Sequence, residues 1–302
     1  MSKLGRAHLA LLIVNMIYGA NYLVAKGLMP TVIGPSGFIL LRVVGATLLF
    51  WLIRLFVRER VAKSDLLRMF ACGCFGVAIN QLLFFNGLNL TSPINASIIM
   101  TSNPILVLVI ASILIKERIT TKKLLGILIG AAGAITLILS SGKELHSSSS
   151  ITGDTLCFIN AVSYGIYLVM VKPLMAKYKP ITVIAHVFLF GMLVVIPFGF
   201  QQFTEVSWST INSGQWIGLA YVVVGTTFLA YLLNIFALKH VTPSVASSYI
   251  YLQPVMAAAF GFLFFYLLDG FTHPGEITIL KIACTLAIFT GVYLVSKPKK
   301  QG

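Results

Sequence analysis

Ten apolar runs, each long enough to cross the roughly 30 Å of bilayer hydrocarbon as a helix, govern what this chain can fold into. They fall at about 7–26, 36–57, 66–88, 93–115, 121–140, 152–171, 181–200, 213–238, 243–268 and 277–296. A soluble domain is about half apolar and a quarter charged; here hydrophobic residues make up 58% and charged ones 10%, with a mean hydropathy of +0.95. The expected fold is an all-α integral membrane protein of ten spans. One polar stretch, Ser140–Ser150, parts five runs from five. It suggests a first half at 1–140, an extracytoplasmic linker at 141–151 and a second half at 152–302.

Loop charge orients the map. With the N-terminus in the cytoplasm, 18 of the 22 Lys and Arg residues fall on the cytoplasmic side, leaving Lys26, Arg42, Lys143 and Lys281 elsewhere. That bias predicts a multi-pass protein of the inner cell membrane with both termini cytoplasmic. It also accounts for the net charge of +14 without a nucleic-acid partner, since the basic clusters lack interleaved exposed aromatics. Lys3, Arg6 and Leu9–Val14 open like a signal peptide. The run continues past Tyr18 without a small-residue cleavage site, so it reads as a retained first span. Cys72, Cys74, Cys157 and Cys284 all lie within apolar runs and read as inert buried thiols.

The halves repeat. A shift of 146 lays Tyr18-Gly19 on Tyr164-Gly165 and Lys26 on Lys172. A shift of 150 lays Ser92-Pro93 on Thr242-Pro243 and Asn103-Pro104 on Gln253-Pro254. Further on, 158 lays Ile119-Thr120 on Ile277-Thr278, the drift reflecting insertions such as Asp269–Gly275. An odd number of spans per half makes the second enter from the opposite face. The prediction is two inverted five-helix repeats, the architecture of alternating access.

Tyr18-Gly19-Ala20-Asn21-Tyr22 through Lys26, Leu41-Arg42, Thr91–Pro104, Lys116-Glu117-Arg118 and the glycine-rich fifth run, echoed by Tyr164–Lys172 and Thr242–Pro254, together resemble the drug/metabolite transporter superfamily, EamA type. The resemblance spans nearly the whole chain and rests on the ordered combination of motifs. It departs at Glu117, which has no counterpart after the ninth run. It implies an exporter or exchanger of amino acids and related metabolites, with a cavity formed by helices 1, 3, 4, 6, 8 and 9.

Helical spacing gathers polar and aromatic residues into stripes that are costly toward lipid and so should face inward. Candidate substrate contacts are Asn15, Tyr18 and Tyr22 on helix 1, Asn80 and Phe84 beside Gln81 on helix 3, and Thr101 on helix 4. Asn160, Ser163, Tyr164 and Tyr167 follow on helix 6, Thr227, Tyr231 and Asn234 on helix 8, and Ser244, Ser247, Ser248 and Tyr251 on helix 9. Interhelical hydrogen bonding is the competing role for any one of them. Ser92 and Thr242 stand at N-cap positions before Pro93 and Pro243. Pro104 and Pro254 fall in mid-run, where each frees a carbonyl and kinks its helix, suggesting paired gating elements.

Arg42 and Lys26 read as helix-end residues snorkelling to the outer interface, or else as attractants for a substrate carboxylate there. His186 reads as a packing histidine. All eight acids map to loops or span ends, which predicts facilitated diffusion or exchange without carboxylate-based ion coupling. Gly126, Gly130 and Ala134, like Ala283, Ala287 and Gly291, recur every four residues and permit close helix contact. Scaffold packing is the favoured use, a homodimer through helices 5 or 10 the other. No histidine pair, metal-ligand cluster or nucleophile–base pair marks an enzyme, and no cofactor or metal is expected. A lipid flippase on the same architecture is the alternative function.

Overall fold

A computed structural model describes residues 2–91, 96, 99–140, 150–267 and 278–296. All regular structure among them is helical. The elements are α1 (Lys3–Leu28), α2 (Pro35–Arg54) and α3 (Lys63–Leu90), then α4 (Asn103–Leu114), α5 (Thr121–Ser140), α6 (Ile151–Lys177) and α7 (Pro180–Thr204). They continue with α8 (Ser213–His240), α9 (beginning at Pro243) and α10 (Ile279–Ser296). Among the described residues, eight helices are long and apolar enough to cross a membrane; the described part of α4 is a shorter apolar helix. Large apolar side chains such as Ile113, Phe198, Ile217 and Leu286 cover the outside, where hydrocarbon rather than water is their natural neighbour. Ser92, Pro93 and the Asp269–Gly275 insertion lie outside the described residues.

Helix starts are capped by different means. Ser2 accepts from the Gly5 amide at the head of α1, and Asn212 and Gln215 close a reciprocal capping box on α8. Helix α2 follows Gly34, which has no side chain to cap with. Its first amides, on Ser36 and Gly37, donate instead to Gln202 Oε1 of α7, at 2.8 and 3.2 Å. An end that would carry orphan donors is thereby tied to a neighbour.

Four helices depart from regular α geometry. In α3 the stretch Cys74–Ile79 is π-helical, and in α8 so is Tyr221–Leu229. Helix α9 opens as Pro243–Ser248, tightens to a 3-10 turn at Tyr249–Leu252 and resumes as Gln253–Leu267. A turn at 101–102 likewise precedes Asn103. Pro104 stands second in the helix that follows this turn, where a missing N–H costs nothing, whereas Pro254 stands second in the α segment after a 3-10 turn of one continuous helix. The chain leaves helical geometry at 101–102, while α9 stays helical throughout and only tightens before Pro254. At the 101–102 turn, the Ser102 hydroxyl donates to the Ile99 carbonyl at 2.7 Å. Thr242 is the N-cap of α9, but its hydroxyl makes no capping bond.

Helix pairing crosses the midpoint of the chain. Helix α1 packs on α8 and α9, while α6 packs on α3 and α4. Helix α2 packs along α7 and against α8, α3 packs on α7, and α5 runs beside α10. Glycines set the closest approaches. A Cβ on Gly19 would stand 2.5 Å from Met256 Cβ, and one on Gly291 would stand 2.6 Å from the Gly126 carbonyl oxygen. The small-residue stripes of α5 and α10 thus meet each other within the chain.

Candidate functional site

The two π segments are tied to neighbouring helices through polar side chains. A π turn misaligns backbone carbonyls from their usual donors and is frequent at functional sites. In α3 those carbonyls are taken up by side chains from two other helices. Ser163 Oγ donates to Phe75 O at 2.7 Å and Asn160 Nδ2 to Asn80 O at 2.5 Å, both from α6. From α8, the Tyr231 hydroxyl donates to Gly76 O at 3.3 Å. Within α8, Thr226 and Thr227 both donate back to Val222 O. Unsatisfied backbone at membrane depth is costly, and these side chains supply donors to the carbonyls of Phe75, Gly76, Asn80 and Val222. Asn160 and Ser163 each give a donor to α3 in this way.

The structure also brings together Tyr18, Tyr164, Tyr231, Asn234 and Gln81. Asn234 Nδ2 donates to the Tyr164 hydroxyl at 2.9 Å, and Gln81 Nε2 approaches the Tyr231 hydroxyl at 3.5 Å. The Tyr18 side chain lies in the neighbourhood of those of Tyr164 and Tyr231. Tyr231 is backed by Phe188, ring to ring at 4.9 Å edge-on, and Phe188 by Phe50 at 4.9 Å. Gln81 Oε1 is a buried acceptor without a partner.

The other candidates take separate places. Asn15 donates to Leu11 O at 2.7 Å and accepts from Gln253 Nε2 at 3.1 Å, linking α1 to α9. Its counterpart contact is Asn103 Nδ2 to Ala161 O, at 3.5 Å, between α4 and α6. Asn80 and Phe84 are partly exposed on α3, with Phe84 edge-on to Phe85 at 5.2 Å. Thr101 is buried at the break before α4. Tyr167 is fully buried with its ring pressed onto Gly76, where a Cβ would stand 2.3 Å away. Tyr251 faces Gly130 of α5, away from the tyrosine group. Ser247 and Ser248 bond back into their own helix. The side chains of Tyr22 and Lys26 lie outside what is described.

Arg42 corrects the helix-end reading. It lies within α2 and is only 4% exposed. Its Nε donates to Thr227 Oγ1 at 3.0 Å, and its guanidinium lies over the rings of Phe85 and Phe38, 5.1 and 5.5 Å from their centroids. Tyr18 and Tyr231 are among its neighbours in the interior. Snorkelling requires a free path to the interface. Helices α3 and α8 close that path, because α2 packs against both. Lys172, by contrast, donates to the carbonyls of Leu238 and Val241 and so closes the C-terminal end of α8. His186 is a packing residue, its Nδ1 2.7 Å from Thr182 O and its ring beside Trp51.

A multi-pass helical bundle with a polar, aromatic interior and an apolar exterior is the general form of a membrane transporter, and the comparisons give the family. The profile of the EamA-like transporter family matches residues 5–139 and again 151–297; the chain belongs to that family. It is 29% identical over 216 residues to a Bacillus subtilis protein named uncharacterized transporter YyaM, covering 70% of this chain and 71% of that one. It is 23% identical to a probable terminal-alkyne amino-acid exporter of Streptantibioticus cattleyicolor, covering 68% and 67%. A solved crystal structure superposes with a TM-score of 0.76 at 17% identity, covering 95% of each chain, which establishes likeness of fold.

Proposed function

We propose that the chain is a secondary transporter or facilitator that moves small metabolites, amino acids or related compounds, out of the cell by alternating access. In this reading α1 and α4 join the eight long apolar helices to make ten spans, arranged as two inverted five-helix repeats with both termini in the cytoplasm. The supporting observation is the crossed pairing. Helix α1 meets α8 and α9 where α6 meets α3 and α4, and α5 meets its own counterpart α10. The π segments, and an irregular turn before each of Pro104 and Pro254, recur under the same exchange. A twofold arrangement of this kind surrounds a mid-bilayer site that each side can reach in turn. Tyr18, Tyr164, Tyr231, Asn234 and Gln81 line it, and the irregular turns before Pro104 and Pro254 serve as hinges. The amino-acid preference draws on the relative named as an amino-acid exporter.

Counterflow in proteoliposomes, loaded with one amino acid or metabolite and challenged with its labelled form, tests the activity. Exchange above protein-free vesicles is expected for at least one compound, without an imposed proton gradient. No exchange across a broad panel, or accumulation only under a proton gradient, would overturn the reading. Tags on the two termini should be accessible from the same side.

A further inference from the structure

We infer that Arg42 is the anchor for a carboxylate on the transported molecule, so that the site takes small organic acids and zwitterions and rejects neutral analogues. This rests on the transporter reading and names its substrate class.

A cation inside a membrane-spanning bundle is costly unless an anion faces it. The chain has eight acids, and the five that are described are engaged elsewhere. Asp65 holds Lys177 and Tyr178, Glu117 holds Lys123, Asp154 accepts from Thr91, Glu59 accepts from the Lys179 amide, and Glu205 accepts from Gln201. Among the described residues no carboxylate pairs with Arg42.

The local contacts fix the guanidinium without neutralising it. Thr227 accepts from Nε alone, and the faces of Phe38 and Phe85 add cation–π attraction. The two Nη groups, with four N–H donors, keep the fork that binds a carboxylate bidentately. The rings restrain the plane of that fork, and Thr227 restrains its rotation. Its titratable neighbours Tyr18 and Tyr231 are hydroxyls, which can share a bound carboxylate but not replace it. Gln81 Oε1, a buried acceptor without a partner beside Tyr231, suits an N–H donor on the same molecule. An amino acid carries both groups.

Binding to the purified full-length chain is measured by calorimetry and by thermal stabilisation, with L-phenylalanine, 3-phenylpropionate, L-leucine and acetate as probes. The neutral amide 3-phenylpropanamide is compared with its acid. At least one carboxylate should bind, and the amide should bind at least tenfold more weakly than its acid. Arg42→Gln should lose roughly 30-fold or more in affinity for the acid. Arg42→Lys should recover part of it, and Thr227→Val should fall between wild type and Arg42→Gln. Equal binding of acid and amide to the wild-type chain overturns the inference, and that comparison needs no variant to fold. Wild-type affinity in Arg42→Gln, or no carboxylate binding at all, overturns it too. Carboxylate binding through Arg42 without counterflow would sink the transport reading and leave the anion site standing. Counterflow of neutral compounds that is unaffected by Arg42→Gln would do the reverse.

Discussion

Gln81 and Tyr231 stand 150 positions apart in the chain and meet side chain to side chain, Gln81 Nε2 lying 3.5 Å from the Tyr231 hydroxyl. Each is the second residue beyond a π segment, Cys74–Ile79 for Gln81 and Tyr221–Leu229 for Tyr231. The contact therefore joins the two irregular turns where they leave π geometry. Tyr231 reinforces the joint by donating to Gly76 O within the α3 segment.

Tyr231→Phe keeps the ring against Phe188 and deletes only the hydroxyl. It strips the donor from Gly76 O and the acceptor from Gln81, and the expected cost is about 1–3 kcal/mol. A lower melting temperature in detergent should accompany a drop in counterflow of about tenfold, the scale of one lost buried hydrogen bond. Unchanged melting and unchanged exchange together would mean that the joint contributes nothing.

The glycine contacts between α5 and α10 lend themselves to a sharper stability test. A methyl on Gly291 would meet backbone on two sides, the Gly126 carbonyl oxygen at 2.6 Å and the Gly130 nitrogen at 2.7 Å. Backbone cannot rotate away as a side chain can, so the helices must separate. Gly291→Ala should cost about 1–3 kcal/mol. Gly27→Ala is the contrast, since nothing lies within 4 Å of its Cβ position. The methyl there should be neutral or stabilise the helix by up to about 1 kcal/mol. Paired thermal melts read the difference, and equal shifts would contradict the packing.

Spans were legible because hydrocarbon thickness imposes a length that composition records directly. The run at 36–57 became Pro35–Arg54 and that at 213–238 became Ser213–His240. Helix α6 runs to Lys177, beyond the run ending at 171, because a helix continues past the membrane as long as its backbone bonds are satisfied. The π segments left no trace in hydropathy. One extra residue per turn shifts the apolar stripe too little to register in so short a stretch. Stripe spacing put Tyr18, Tyr164 and Tyr231 on inward faces, yet it could not distinguish them from Tyr251, whose inward face meets Gly130. The setting of Arg42 is not legible in the sequence because its partners, Thr227 and Phe85, lie 185 and 43 positions away. No local pattern carries that information.

Asp65, in the first turn of α3, ties that helix to the C-terminal end of α6. It accepts from the Tyr178 hydroxyl at 2.7 Å and from Lys177 Nζ at 3.0 Å, while the Tyr178 hydroxyl accepts from the Ala62 amide at 3.1 Å. Asp65 is nearly buried, whereas the Lys177 side chain is 55% exposed. The tyrosine bond should therefore matter more than the ion pair, whose charge is screened. Asp65→Ala is expected to cost about 1–3 kcal/mol, and Lys177→Gln at most about 1 kcal/mol. Melting temperatures in low and high salt separate the two, the Asp65→Ala deficit persisting in salt. A larger effect from Lys177→Gln would reverse the assignment.

Asn160 and Ser163 make the last case, because they separate holding the bundle together from contacting substrate. Asn160 Nδ2 serves Asn80 O and Ser163 Oγ serves Phe75 O, carbonyls at or beside the α3 π segment. Asn160→Leu keeps the approximate volume but leaves Asn80 O without its donor, at an expected cost of about 1–3 kcal/mol. Ser163→Ala removes a smaller donor and should fall toward the lower end of that range. If both act through the helix, the substrate's apparent KM stays near wild type while melting temperature and transport capacity fall together. Tyr164→Phe, one turn along the same helix, should behave oppositely. It removes the acceptor for Asn234 Nδ2 within the proposed site, so KM should rise while melting changes less. Measuring KM and melting temperature for the three variants decides the matter. A KM rise in Asn160→Leu with no loss of stability would move that residue from the bundle's framework into the transport path.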